Sequence, residues 1–249
     1  MHILVVNPNT TSSMTRKIGA TARAAAAAGT EIVAVNPDFG PASIEGYYDE
    51  AFSVPGLIAE IKKAGDADAY VVACFDDTGL DAARCVTEAP VVGIGEAAFH
   101  VASLVAGKFA VVTTLARSVR AIEHNLVRYG LAGRCAKVRA SEVPVLELEV
   151  PDSTARDRIS AEIVRALRED AAEAIVLGCA GMADLAAALS QEHDVPVIDG
   201  VACAVKLCEC LVSLGLKTSK SGAYAPPRAK LYSGMFAPFA PPCRSPTRR

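Results

Sequence analysis

The chain has 249 residues, 51% of them hydrophobic, no tryptophan and a formal net charge of −3. That length supports one large or two small domains with proper cores, and the Ala- and Val-rich composition suits a compact parallel α/β architecture. The small negative charge gives no electrostatic case for nucleic acid or an anionic membrane as a partner. No apolar run approaches the ~20 residues needed to span a bilayer.

The chain opens on a strand, Ile3 to Val6, with no basic stretch and cleavage site ahead of it, so a cytoplasmic location is expected. The polar run Asn7-Pro-Asn-Thr-Thr-Ser-Ser13 supplies N-cap side chains for a helix from Met14 to Ala28, which Gly29 ends. A strand at Glu31 to Val35 leads into a Pro- and Gly-rich loop, residues 36–45. A helix from Val54 to Ala64 precedes the strand that ends at Cys74. Next come a helix from Asp77 to Cys85, a strand at Val91 to Ile94 and a helix carrying His100.

A second series follows. It begins with a strand at Phe109 to Val112 and a helix from Ser118 to Tyr129. A strand at Arg134 to Ala140 and a loop over 143–151 lead to a helix from Thr154 to Asp170 with an apolar stripe. The strand ending at Cys179, a helix from Ala183 to Ser190 and a strand at Val195 to Ile198 complete the series. A helix from Val201 to Leu214 is expected to pack back on the first half. The Pro-rich stretch beyond it is expected to be a poorly ordered tail.

The two series are copies. Cys74 in Ala-Tyr-Val-Val-Ala-Cys74-Phe-Asp-Asp-Thr matches Cys179 in Ala-Ile-Val-Leu-Gly-Cys179-Ala-Gly-Met-Ala, and Gly95 and Gly200 each lie twenty-one positions further on. Each cysteine follows a short apolar, β-branched run that reads as a buried parallel strand. The fold class is therefore α/β, two similar lobes with mainly parallel sheets flanked by helices. The lobes are expected over residues 1–98 (with 201–230 packing back) and 99–200, with 231–249 as the tail.

Ligands of open parallel sheets bind beyond the C-terminal strand ends. Asn7, the Phe39 to Ile44 loop, Cys74, Thr113, Thr114 and Cys179 all meet that condition. One thiol from each copy is the layout for taking a proton from one face of a carbon and returning it to the other. Each cysteine is expected just before a helix N-terminus, where unpaired N–H groups and the helix dipole lower a thiol pKa. Gly178 and Gly181 leave room for a flat substrate, and main-chain N–H donors hold the charge that develops on a carbonyl oxygen. Asp76 and Asp77 read first as helix caps or backbone supports, and secondarily as acid/base groups or metal ligands. His100 and His124 read as bystanders.

Other chemistries find little support. Gly-x-Ser-x-Gly is absent, Gly93-Ile-Gly95 lacks the third glycine of a dinucleotide fingerprint, and Cys208-x-Cys210 has no second metal-binding pair near it. Neither a cofactor nor a metal is expected. The eight cysteines (74, 85, 135, 179, 203, 208, 210 and 243) read as thiols in a reducing compartment.

Five motifs carry a resemblance: Val-Asn-Pro-Asn-Thr, Gly-Pro-Ala-Ser-Ile-Glu, Ala-Cys74-Phe-Asp-Asp-Thr-Gly, Gly-Ile-Gly-Glu-Ala-Ala-Phe and Leu-Gly-Cys179-Ala-Gly-Met. Together, over residues 1–230, they resemble the hydantoin/allantoin racemase branch of the aspartate/glutamate racemase superfamily. The resemblance implies cofactor-independent racemisation of a 5-substituted hydantoin as small-molecule substrate, and a homo-oligomer. Cys74 and Cys179 fall on the family's catalytic pair, and Asn7, Ile44, Thr113, Thr114 and Gly178 on positions that line its pocket. An allantoin racemase, with the same chemistry on a ureido-substituted ring, an amino-acid racemase or decarboxylase of the superfamily, or a two-lobed binding protein without catalysis, stays open at this point.

Overall fold

The structure, a computed structural model, describes residues 1–241; Cys243 and the rest of 242–249 lie outside the described residues. Two four-stranded parallel sheets carry the chain. The first is built from β1 (His2–Val6), β2 (Glu31–Val35), β3 (Ala69–Val72) and β4 (Val91–Gly93) in the order β2-β1-β3-β4. The second, from β5 (Phe109–Thr113), β6 (Cys135–Ala140), β7 (Ala174–Gly178) and β8 (Val197–Ile198), repeats that order as β6-β5-β7-β8. The duplication read in the sequence is thus a duplication of topology.

The central strands are apolar throughout because both their faces are covered. All of Ile3–Val6 and Ala174–Gly178 is buried, as expected for parallel strands between helical layers. The helices are α1 (Ser12–Ala25), α2 (Tyr47–Ala64), α3 (Leu80–Val86), α4 (Ile94–Val105), α5 (Ala116–Arg128), α6 (Ala155–Glu169), α7 (Ala186–His193) and α8 (Gly200–Ser213). The last helix of each copy crosses over. Helix α4 packs on β7 of the second sheet, α8 packs on β3 and β4 of the first, and α4 and α8 pack on each other between them. The 98/99 boundary therefore falls inside α4.

This exchange gives the two lobes one shared core. Phe99 of α4 is fully buried at its centre, 5.3 Å from the Phe75 ring, 6.0 Å from Phe109 and 6.3 Å from Tyr129. Separate apolar clusters fill the outer face of each sheet. The lobes are held in a fixed relation around this aromatic centre, and that fixes the two strand ends facing one another.

Three local expectations are corrected. Helix α2 starts at Tyr47, not Val54, and carries Pro55 in its interior. Helix α3 starts at Leu80, not Asp77, because Asp77 (φ 52°) and Gly79 (φ 74°) are left-handed. Helix α1 ends at Ala25, and its N-cap Thr11 makes no side-chain capping bond. Instead Asn9 Oδ1 accepts the Thr11 N–H at 2.9 Å. Beyond α8, residues 234–239 form a short 3-10 helix whose Phe239 packs against the outer face of the first sheet.

Candidate active site

A narrow cleft, open to solvent, lies at the C-terminal edge of both sheets. Cys74 and Cys179 both line it, together with Asn7, Ile44, Asp76, Thr114 and Gly178. Strand register explains the convergence. Val6 pairs with Val72, so Asn7 leaves the first sheet level with Ala73, one residue before Cys74; Thr113 pairs with Gly178, so Thr114 and Cys179 emerge together from the second.

The polar loop after β1 is internally satisfied. Asn7 is 1% exposed, and its amide donates to Asn9 Oδ1 (2.9 Å) and Thr15 Oγ1 (3.0 Å). Thr15 Oγ1 in turn lies 2.8 Å from Asn36 Oδ1. Both amide hydrogens of Asn7 are therefore committed to holding the loop. Thr113 does not line the cleft: its hydroxyl donates to the Gly178 carbonyl at 2.9 Å, behind the wall. Gly178 has no side chain because a Cβ there would meet the Thr113 Cβ at 2.8 Å, and Gly181 makes room for Leu148. The room these glycines provide is taken up by protein.

Asp77 has the supporting role. Its carboxylate accepts the Gly95 and Glu96 N–H groups at 3.0 and 2.7 Å, capping α4, and the Tyr129 hydroxyl at 2.8 Å. Burial pushes this carboxyl up to about 7, against the pull of those donors. Gly93 and Gly95 are glycines because a Cβ at either would collide with Asp77, and at Gly95 also with the Phe75 carbonyl, 2.3 Å away. The Gly-Ile-Gly motif is thus packing around a buried acid. In the second copy Asp199 caps α8 through the Val201 and Ala202 N–H groups.

The thiols are not acidified, contrary to expectation. Cys74 lies in a turn well ahead of α3, and Cys179 is followed by the 3-10 helix Ala180–Leu185 rather than an α-helix. Burial raises both, Cys179 to about 12 and Cys74 further, and Asp76, when ionised, adds to each. Opposing this, the Asp76 N–H and the Thr78 hydroxyl (3.5 Å) face Cys74, while the Gly181 N–H and Lys17 favour charge on Cys179. A thiolate formed here is scarce but strongly basic.

Sequence reasoning missed Asn9, Met14, Ser118 and Val145 in the cleft wall. Ser118 had a signal, lying one helical turn beyond Thr114; Val145 opens a short 3-10 helix, Val145–Glu149, in a stretch that reads as loop, and had none. The mouth is bridged between lobes. Val145 N–H donates to Glu45 Oε1 at 3.0 Å, and Lys17 Nζ reaches the Leu148 carbonyl (3.0 Å) and Glu149 (3.2 Å). His100 and His124 do not line the cleft. Among the described residues no cluster of His, Cys, Asp or Glu is placed to hold a metal ion, and no helix is long and apolar enough to cross a membrane.

Two duplicated parallel-sheet lobes with a thiol from each in one cleft define a racemase-type fold. The chain belongs to the Asp/Glu/Hydantoin racemase family, whose model matches residues 3–208. It is 50% identical over 236 residues to a hydantoin racemase of Rhizobium meliloti (94% of this chain, 98% of that one). It is 48% identical over 241 residues to a hydantoin racemase of Pseudomonas sp. (strain NS671), covering 96% and 97% of the two chains. Among solved structures, the allantoin racemase from Klebsiella pneumoniae superposes with a TM-score of 0.93 at 48% identity, covering 97% of this chain and 99% of that one. The protein is accordingly an isomerase of the racemase class.

Proposed function

We propose that the protein racemises 5-monosubstituted hydantoins without a cofactor, by a two-thiol mechanism. The observation that carries this reading is that Cys74 and Cys179 open into one cleft from equivalent strand ends of two copied lobes. The C5–H of a hydantoin is acidic because the C4 carbonyl takes up the charge as an enolate. The thiolate of one cysteine removes the C5 proton, forming an S–H bond. The thiol of the other delivers its own proton to the opposite face and becomes the thiolate. The roles exchange with reaction direction, and one thiolate with one thiol is the required state.

Burial raises both thiols in the substrate-free cleft, so little of either is thiolate near neutral pH. The acidity of the C5–H is what lets a thiolate serve as the base. Ile44, Val145 and Met14 give the cleft apolar wall, which supports a hydrocarbon substituent at C5. Allantoin is itself a hydantoin, with a ureido group at C5, and the likeness to the Klebsiella pneumoniae enzyme favours it as the second reading.

Incubation of each enantiomer of 5-benzylhydantoin, 5-isopropylhydantoin and allantoin with the protein in D2O tests the proposal. Loss of optical rotation with deuterium incorporation at C5 is the expected result, fastest on the hydrocarbon-substituted rings. Exchange on none of the three would overturn it.

A further inference from the structure

Asp76 is the one acidic side chain among the residues lining the cleft, and the two-thiol scheme leaves it without a task. Its backbone is fixed from both lobes. The Asp76 carbonyl accepts Asn125 Nδ2 of α5 at 2.8 Å, and the next residue, Asp77, is locked into the cap of α4. Its carboxyl takes no hydrogen bond from any of the described residues, whereas Asn7 and Thr113 have their donors committed to protein. The Asp76 charge bears on both thiols. Behind it on α2 is Glu50, whose Oε1 is buried without a hydrogen-bond partner.

We infer that Asp76 works as a neutral carboxylic acid, donating its O–H to the ring carbonyl oxygen next to C5, where negative charge develops as the proton leaves. An ionised Asp76 would repel both the thiolate and the enolate within one low-dielectric cleft. A protonated one removes that repulsion and supplies a donor where charge appears, as an oxyanion hole does. The surroundings keep the proton on: burial first, then the Glu50 and Asp77 charges, push the Asp76 carboxyl up to about 8. The Asp76 proton stays on its own oxygen; the proton exchanged at C5 passes only between carbon and sulfur.

This inference rests on the racemase reading, and the test separates the two. Racemisation of 5-benzylhydantoin is measured for wild type, Asp76→Ala and Asp76→Asn, with thermal midpoints recorded for each. Asp76→Ala should lose about 10²–10³-fold in kcat with KM changed only a few-fold. Asp76→Asn keeps an N–H donor at the same place and should retain at least about tenfold more kcat than the alanine variant. Removal of a half-buried carboxyl that takes no hydrogen bond from the protein should leave the thermal midpoint equal or higher. If Asp76→Ala keeps kcat within about threefold of wild type, or if Asn is as inactive as Ala, the neutral-donor role is wrong. If one variant fails to fold, the other still decides against wild type by the same thresholds. An inactive wild type would instead refute the racemase reading itself.

Discussion

The Tyr129 hydroxyl of the second lobe donates to the Asp77 carboxylate of the first at 2.8 Å, three residues beyond Cys74. The bond ties the turn that carries one thiol to the far lobe. Tyr129→Phe keeps the ring against Phe99 and removes only the donor. Stability to urea should fall by about 1–3 kcal/mol, the cost of leaving a buried acceptor short of a partner. Unchanged stability would mean that the bond does not hold the lobes.

The raised thiols predict how reactivity depends on pH. Below its pKa a thiol's thiolate fraction rises tenfold per pH unit. With Cys179 near 12 and Cys74 higher, alkylation of both by iodoacetamide in the substrate-free protein should climb about tenfold per unit from pH 7 to 9. Peptide mass spectrometry resolves the two sites. A plateau below pH 8 at either cysteine would show an acidified thiol there.

That correction marks where sequence reasoning stops. The strands were legible because both faces are buried, leaving uninterrupted apolar runs such as Ile3–Val6, and the copied order of the sheets followed from the copied motifs. The cysteines were legible as strand-end residues in matching places. Their acidity was not, because it depends on burial by the opposite lobe and on a turn, rather than a helix, after Cys74. Nor was the role of Thr113, whose hydroxyl turns to Gly178 instead of the cleft. The start of α2 was hidden by Pro55, which looks like a boundary and lies mid-helix.

Ile44 and Thr114 line the cleft from opposite lobes, and their substitutions should separate side-chain from ring recognition. Ile44→Ala should change relative kcat/KM among hydantoins with different C5 groups, by the equivalent of about 1–3 kcal/mol per methylene-sized contact. Thr114→Val should lower turnover on every substrate, because the ring is common to all. A panel of 5-methyl-, 5-isopropyl- and 5-benzylhydantoin run on both variants checks this. A uniform loss in Ile44→Ala, or a substituent-dependent one in Thr114→Val, would reverse the assignment.

The division of labour between the thiols is tested most directly by deuterium exchange in single-cysteine variants. Each enantiomer of 5-benzylhydantoin is incubated in D2O with Cys74→Ala or Cys179→Ala, and rotation and C5 deuteration are followed together. Neither variant should racemise. Each should still exchange the C5 proton of one enantiomer without inversion, and the preferred enantiomer should be opposite in the two. Racemisation at the wild-type rate by either variant would contradict the two-thiol account.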